Sequence, residues 1–247
     1  MTGLGKFYGV GVGTGDPEHL TLKAIHTIRS VSVICAPRVV GSQESFVLSI
    51  VQEFIDDRRQ EILLARLPQT SDSNELIEAL EESIEQIRER LLGENDVAFL
   101  TLGDPMIYSL YPYFRERLFQ KLPQLESSVV PGISSVSLSA ARTGIELASG
   151  SERLAIVPLA SNMQHIETLL ISFDVVVFLK VNRDFDDFVA LLTRMGIENS
   201  AVLISQCGTQ HETIVRSITS LRGSQLDYLS LVIVAKRSKI SQNIGWW

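Results

Sequence analysis

DVAFLTLGDPMIYS, residues 96–109, is the stretch on which the fold turns. Val97 to Leu102 form an apolar run broken only by Thr101, with no alternation of faces. That is the pattern of a strand covered on both sides at the centre of a parallel sheet. The run stops at Gly103-Asp104-Pro105, the end of a strand where ligands of open α/β sheets collect. Gly103 permits close approach to the backbone, and Asp104 can accept hydrogen bonds from hydroxyls or an ammonium. Asp-Pro also opens ordinary turns, so a purely structural role stands beside the ligand-binding one.

Working outward, Ser73–Leu92 carries Leu76, Leu80, Ile84, Ile87 and Leu91 on one helical stripe. KFYGVGVG (6–13) is a strand running into glycines, and Asp16-Pro17 opens a helix with Leu20, Ala24, Ile25 and Ile28 at helical spacing. VSVICAP (31–37) and QEILLA (60–65) are strands, while SFVLSIVQEFI (45–55) and YFRERLFQKL (113–122) are helices. SSVVPGISSVSLSAARTG (127–144) is a strand, a Pro131-Gly132 turn and a helix of small residues.

After about residue 150 the strands crowd together: RLAIVPL (153–159), DVVVFLKV (174–181), AVLISQ (201–206), ETIVRSI (212–218) and YLSLVIVAK (228–236). Helices QHIETLLIS (164–172) and DFDDFVALLTRMG (184–196) lie between some of them. The expectation is two α/β domains, residues 1–125 and 126–247, the first sheet mostly parallel and the second mixed. The C-terminal SQNIGWW (241–247) either frays or packs its tryptophans.

The 247 residues are 45% hydrophobic and 21% charged, enough for a sizeable core. A net charge of −7 argues against nucleic acid, whose binding rests on basic side chains at phosphates. It leaves room for an anionic small ligand, which needs only a local basic patch. Cys35 and Cys207 form no CxxC, and the four histidines show neither HxxxH nor HExxH spacing, so no protein-bound metal is expected. Glycine-rich sequence by residue 9 leaves no room for a signal peptide, and no apolar run approaches ~18 residues. The expected location is the cytoplasm.

GVGVGTGD (9–16) invites a nucleotide reading, yet its glycines miss the G-x-G-x-x-G spacing and no Gly-Lys-Ser/Thr follows. Asp16 also sets a charge where a pyrophosphate wants helix amides. A tight strand-to-helix turn is the alternative to ligand contact. In VPGISS (130–135), Ser134 or Ser135 is either a helix N-cap or a ligand contact. Lys180, ending VVVFLKV, either reaches solvent or meets an acidic ligand. Gly208-Thr209 in QCGTQHE (206–212) reads first as a hairpin turn.

In this order GVGVGTGDPEHLTLKA, TLGDPMIYS, VPGISS, VVVFLKV and CGTQHETI resemble the tetrapyrrole methylases over essentially the whole chain. Within that family TLGDPxxYS with PGISS looks most like the precorrin-2 or cobalt-factor II C20-methyltransferases. Leu110 and Ser134 depart from the usual threonines. The resemblance implies a two-domain α/β fold with S-adenosyl-L-methionine in a cleft between the domains, a homodimer, and a tetrapyrrole substrate in corrin biosynthesis. It implies donor contacts at Gly103, Asp104, Ile107, Ser134, Ser135, Lys180, Val181 and Gly208. It turns Gly13, Thr14, Tyr108 and Ser109 toward the macrocycle, with Tyr108 positioning substrate. Lys180, and after it Arg38, are the cations nominated for the macrocycle's carboxylates. The alternatives are methylation at another ring carbon, or a Rossmann-like nucleotide-binding oxidoreductase or ligand-binding module.

Overall fold

The computed structural model describes residues 3–68, 70, 72–160 and 162–236, so SQNIGWW lies outside the described residues. The chain divides into two compact units, Met1–Ser134 and Ser135–Trp247.

The first unit alternates strands β1 (Phe7–Gly11), β2 (Val33–Val39), β3 (Glu61–Leu67), β4 (Val97–Thr101) and β5 (Ser127–Val130) with helices. These are α1 (Leu22–Ser30), α2 (Phe46–Val51), α3 (Ser73–Leu92) and α4 (Tyr111–Lys121). The sheet order is β3-β2-β4-β1-β5, and every pairing among these strands is parallel. All five residues of β4 are buried, as expected of the middle strand. Phe7, Phe99, Tyr111 and Phe114 pack with the α3 stripe on one face, and Val10, Ile34 and Leu100 pack with Ala24 and Ile28 on the other.

The expected boundary after residue 125 puts β5 in the second domain, but β5 hydrogen-bonds to β1 and completes the first sheet. The glycine-rich turn also differs from the expectation. Asp16 caps only a short 3-10 turn, Pro17–His19, by accepting from the Glu18 amide. The α-helix proper starts at Leu22, where the Thr21 hydroxyl accepts from Ala24.

The second unit holds α5 (Ser135–Thr143), β6 (Leu154–Pro158), α6 (Met163–Ser172), β7 (Val175–Leu179), α7 (Phe185–Met195), β8 (Ala201–Ser205), β9 (Thr213–Val215) and β10 (Ser230–Ala235). Its sheet, β6-β7-β10-β8-β9, is mixed: β6 and β7 are parallel, and the other pairs are antiparallel. Phe178, Phe188 and Leu192 centre its core. The QCGTQHE segment joins antiparallel neighbours β8 and β9, as a hairpin reading requires, though β9 spans only three residues of the expected ETIVRSI strand. Strand β7 stops at Leu179, one residue short of Lys180.

Gly132→Ala is expected to destabilise the first unit by about 1–3 kcal/mol, the usual cost of overpacking. Its Cβ would lie 2.2 Å from the Gly103 carbonyl oxygen and 2.8 Å from Gly11, with only backbone to displace. Urea unfolding followed by tryptophan-independent circular dichroism checks this through the shift in midpoint.

Candidate active site

At the carboxyl edge of the first sheet, β4, β1 and β5 lie side by side and release three glycine-containing loops. Val12 donates to the Thr101 carbonyl, and Gly103 donates to the Gly13 carbonyl at 2.6 Å. Gly13 and Gly103 both sit at positive φ, +74° and +67°, a region glycine enters without steric cost. A Cβ on Gly11 would meet Gly103 O and Gly132 N at 2.6 Å. Three backbone edges therefore converge with no side chain between them.

Asp104 locks this convergence. One carboxylate oxygen accepts from Met106 N at 2.8 Å, and the other accepts from Gly132 N at 3.1 Å, tying the β4 loop to the β5 loop. The turn-forming role and the ligand role thus share one side chain. A carboxylate has about four acceptor positions, and two are taken here.

Met106, Ile107 and Tyr108 then project three large, exposed side chains, Tyr108 at φ +49° and 54% exposed. Ser109 turns the chain into α4: its hydroxyl accepts from Tyr111 N at 3.1 Å. That gives it a helix-starting role, which the sequence does not separate from substrate contact. Tyr111 anchors the helix below the loop, its ring stacked on Phe7 at 5.4 Å and filling the space left by Gly9. Thr14 is buried, and its Oγ1 has no hydrogen-bond partner among the described residues. His19 Nε2 stands 4.0 Å from Asp16 Oδ2 in the same loop.

Ser134 is buried and directly precedes α5, of which Ser135 is the first residue. In the second unit β7 and β8 both run antiparallel to β10, so they end at the same edge. That edge gathers Lys180, Val181 and Gly208. Lys180 is exposed at φ +56°, Val181 is buried, and Gly208 sits at φ +83° after Gln206 at φ +48°. Lys180 and Gln206, each directly past a strand, and Tyr108 in the loop after β4 are non-glycine residues in the left-handed region, where strain gathers at functional sites.

Sequence reasoning missed Glu212. Its carboxylate accepts from Gly208 N at 2.8 Å and pairs with Arg142 at 3.4 Å, holding the hairpin loop. The signal was a lone glutamate four residues on, which only the fold makes specific.

No three His, Cys, Asp or Glu side chains cluster as metal ligands among the described residues, and no described helix is long and apolar enough to cross a membrane. Burial pushes the Cys35 thiol up to about 12 and the Cys207 thiol up to about 11. Neither is a nucleophile at neutral pH. Ellman's reagent at pH 8 should therefore find no fast thiol in the native protein and both cysteines after unfolding in guanidinium. A rapid native thiol would refute the burial argument.

The model of the tetrapyrrole (corrin/porphyrin) methylases matches residues 6–221. A probable cobalt-precorrin-2 C(20)-methyltransferase of Methanocaldococcus jannaschii is 30% identical over 94% of this chain and 96% of its own. The cobalt-precorrin-2 C(20)-methyltransferase of Salmonella typhimurium is 27% identical over 94% of this chain and 97% of its own. In fold, the chain resembles uroporphyrin-III C-methyl transferase of Thermus thermophilus, solved with S-adenyl homocysteine. The TM-score is 0.64 at 19% identity, over 94% of this chain and 98% of that one.

Proposed function

The chain is a methyltransferase that belongs to the tetrapyrrole methylases, and from that premise we propose that it moves a methyl group from S-adenosylmethionine to C20 of precorrin-2 or cobalt-factor II in cobalamin biosynthesis. The two C(20)-methyltransferases of similar length support the ring position over methylation elsewhere. The family match and the misplaced glycines both count against the dinucleotide oxidoreductase reading.

The single observation that carries the reading is the side-chain-free meeting of Gly11, Gly103 and Gly132 beside the exposed Ile107 and Tyr108. A molecule with a polar amino-acid end and apolar parts fits such a backbone edge. Gly103 brings main chain close to the donor, Asp104 offers its remaining acceptor positions, and Ile107 gives an apolar contact. Gly13, Thr14 and Tyr108 stand nearest to the macrocycle in this reading.

The donor supplies an activated methyl group whose leaving group is a neutral sulfide. A reduced tetrapyrrole supplies an electron-rich meso carbon, which gains the methyl group and then loses its proton. What remains for the protein is alignment, and orientation alone is worth roughly 7–11 kcal/mol. Tyr108, held in a strained conformation, acts by placing substrate rather than by moving a proton. A cytoplasmic homodimer with no metal of its own completes the proposal.

S-adenosylhomocysteine should bind once per chain and stabilise the fold by about 2.7 kcal/mol at a hundred times Kd, read as a Tm that rises with ligand concentration. Asp104→Ala should weaken that binding by about 1–3 kcal/mol in calorimetry below its unfolding temperature. Anaerobic turnover should yield a product one methyl group heavier, placed at C20 by NMR. A wild-type chain that ignores millimolar S-adenosylhomocysteine would sink the reading.

A further inference from the structure

The loops that follow β2 and β4 concentrate exposed apolar surface. Among the described residues of the first unit, nine large hydrophobic side chains are exposed, and six of them lie in these two segments: Val39, Val40 and Phe46, and Met106, Ile107 and Tyr108. The two strands are parallel neighbours with Cys35 opposite Phe99. Beyond that pair β2 continues against β3 alone, and the chain after each strand leaves from the same carboxyl edge of the sheet. Isolated exposed hydrophobics are ordinary, but two groups of them following neighbouring strands at one sheet edge concentrate apolar surface where a ligand can meet it.

Arg38 lies within this surface and is half-buried. Three other arginines of the unit are half-buried: Arg88 pairs with Glu85, Arg90 with Glu61 and Arg117 with Glu81. Among the described residues, the Arg38 side chain alone of these four has neither an ion pair nor a hydrogen bond. Partly burying a guanidinium without a counter-charge is costly, so a ligand carboxylate arriving here gains a favourable partner. The surrounding backbone is fixed. Ser45, itself buried, donates from its hydroxyl to the Pro37 carbonyl at 2.7 Å and caps α2 by accepting from Leu48 N. Val40 N donates to Leu67 O at 2.9 Å.

We propose that the Arg38–Phe46 segment is a specificity wall for the acceptor substrate: Arg38 takes one peripheral carboxylate of the macrocycle in a bidentate grip, while Val39 and Val40 cover the rim of the ring. This rests on the tetrapyrrole reading and deepens it. A flat, largely apolar ring edged with carboxylates matches an apolar surface bearing one unpaired cation, and a planar guanidinium suits a carboxylate better than an ammonium does. Lys180, exposed and in the other unit, is not required for this anchor.

The test compares Arg38→Gln, Arg38→Lys and Val40→Asp in the full chain with precorrin-2 as substrate. Arg38→Gln should raise KM for the tetrapyrrole about 10- to 100-fold, with S-adenosylhomocysteine Kd unchanged within about twofold. The KM of Arg38→Gln should also respond less steeply to salt. Arg38→Lys should recover part of the loss, and Val40→Asp should raise KM by setting a like charge beside the substrate carboxylate. An unchanged KM and salt response in Arg38→Gln overturns the proposal. So does a loss confined to S-adenosylhomocysteine binding, which would give Arg38 to the donor. Altered sedimentation with normal KM in Val40→Asp would make the surface a chain–chain contact, and that also overturns it. A wild-type chain that methylates no tetrapyrrole refutes the underlying reading instead, a result distinct from all of these.

Discussion

Where β4, β1 and β5 end, the Gly103 carbonyl lies so near Gly11 and Gly132 that no side chain fits between them. The rest of the first unit is arranged around that closeness. Gly9, one pleat back along β1, leaves room for the Tyr111 ring, so α4 can start directly below the loop. Asp104 bridges the amides of Met106 and Gly132, and its carboxylate fixes two chain segments 28 residues apart. Enlarging Gly11 or Gly132 disturbs the other loops, because their neighbours are main chain and cannot rotate away.

The strand and helix pattern of this unit was legible because each element has one dominant signal. Strand β4 is apolar on both faces and stands mid-sheet; Leu80, Ile84, Ile87 and Leu91 keep helical spacing and are buried. Gly103 and Asp104 could be singled out because glycine and an acid at a strand end are informative locally. What they touch was not legible, since the Gly132 partner is remote in sequence. The allocation of β5 failed for the same reason: a four-residue strand carries no mark of which sheet it joins. The glycine loop misled in a different way. Asp16-Pro17 looks like the head of a long helix, but Thr21 offers a second cap, and the helix begins there.

Charge shows a comparable divide between local and tertiary information. The acidic face of α3 pairs forward and back, with Glu81 on Arg117 and Arg90 on Glu61, so part of the unit's acidic charge is compensated in surface pairs. Such exposed pairs add little stability individually. Among the described residues the Arg38 side chain lacks the carboxylate that the other half-buried arginines of its unit have, a difference that no sequence pattern carries. The left-handed residues Tyr108, Lys180 and Gln206 are likewise ordinary letters in the sequence and become unusual only as dihedral angles.

The position of β1 in its sheet also sets an order of events as the chain is made. Phe7 pairs with Val97 on one side and with Ser127 on the other, while β2 and β3 pair with each other early. A ribosome adding about 5–20 residues per second takes roughly 6–24 s to supply the last of these partners after β1 emerges. For roughly the first 4.5–18 s of that interval, until β4 has been made, β1 has neither neighbour, and β2 presents an open apolar edge where β4 will dock. The nascent chain therefore depends on its polar stretches, above all the acidic α3, to stay soluble until β4 arrives between β2 and β1 and closes the sheet.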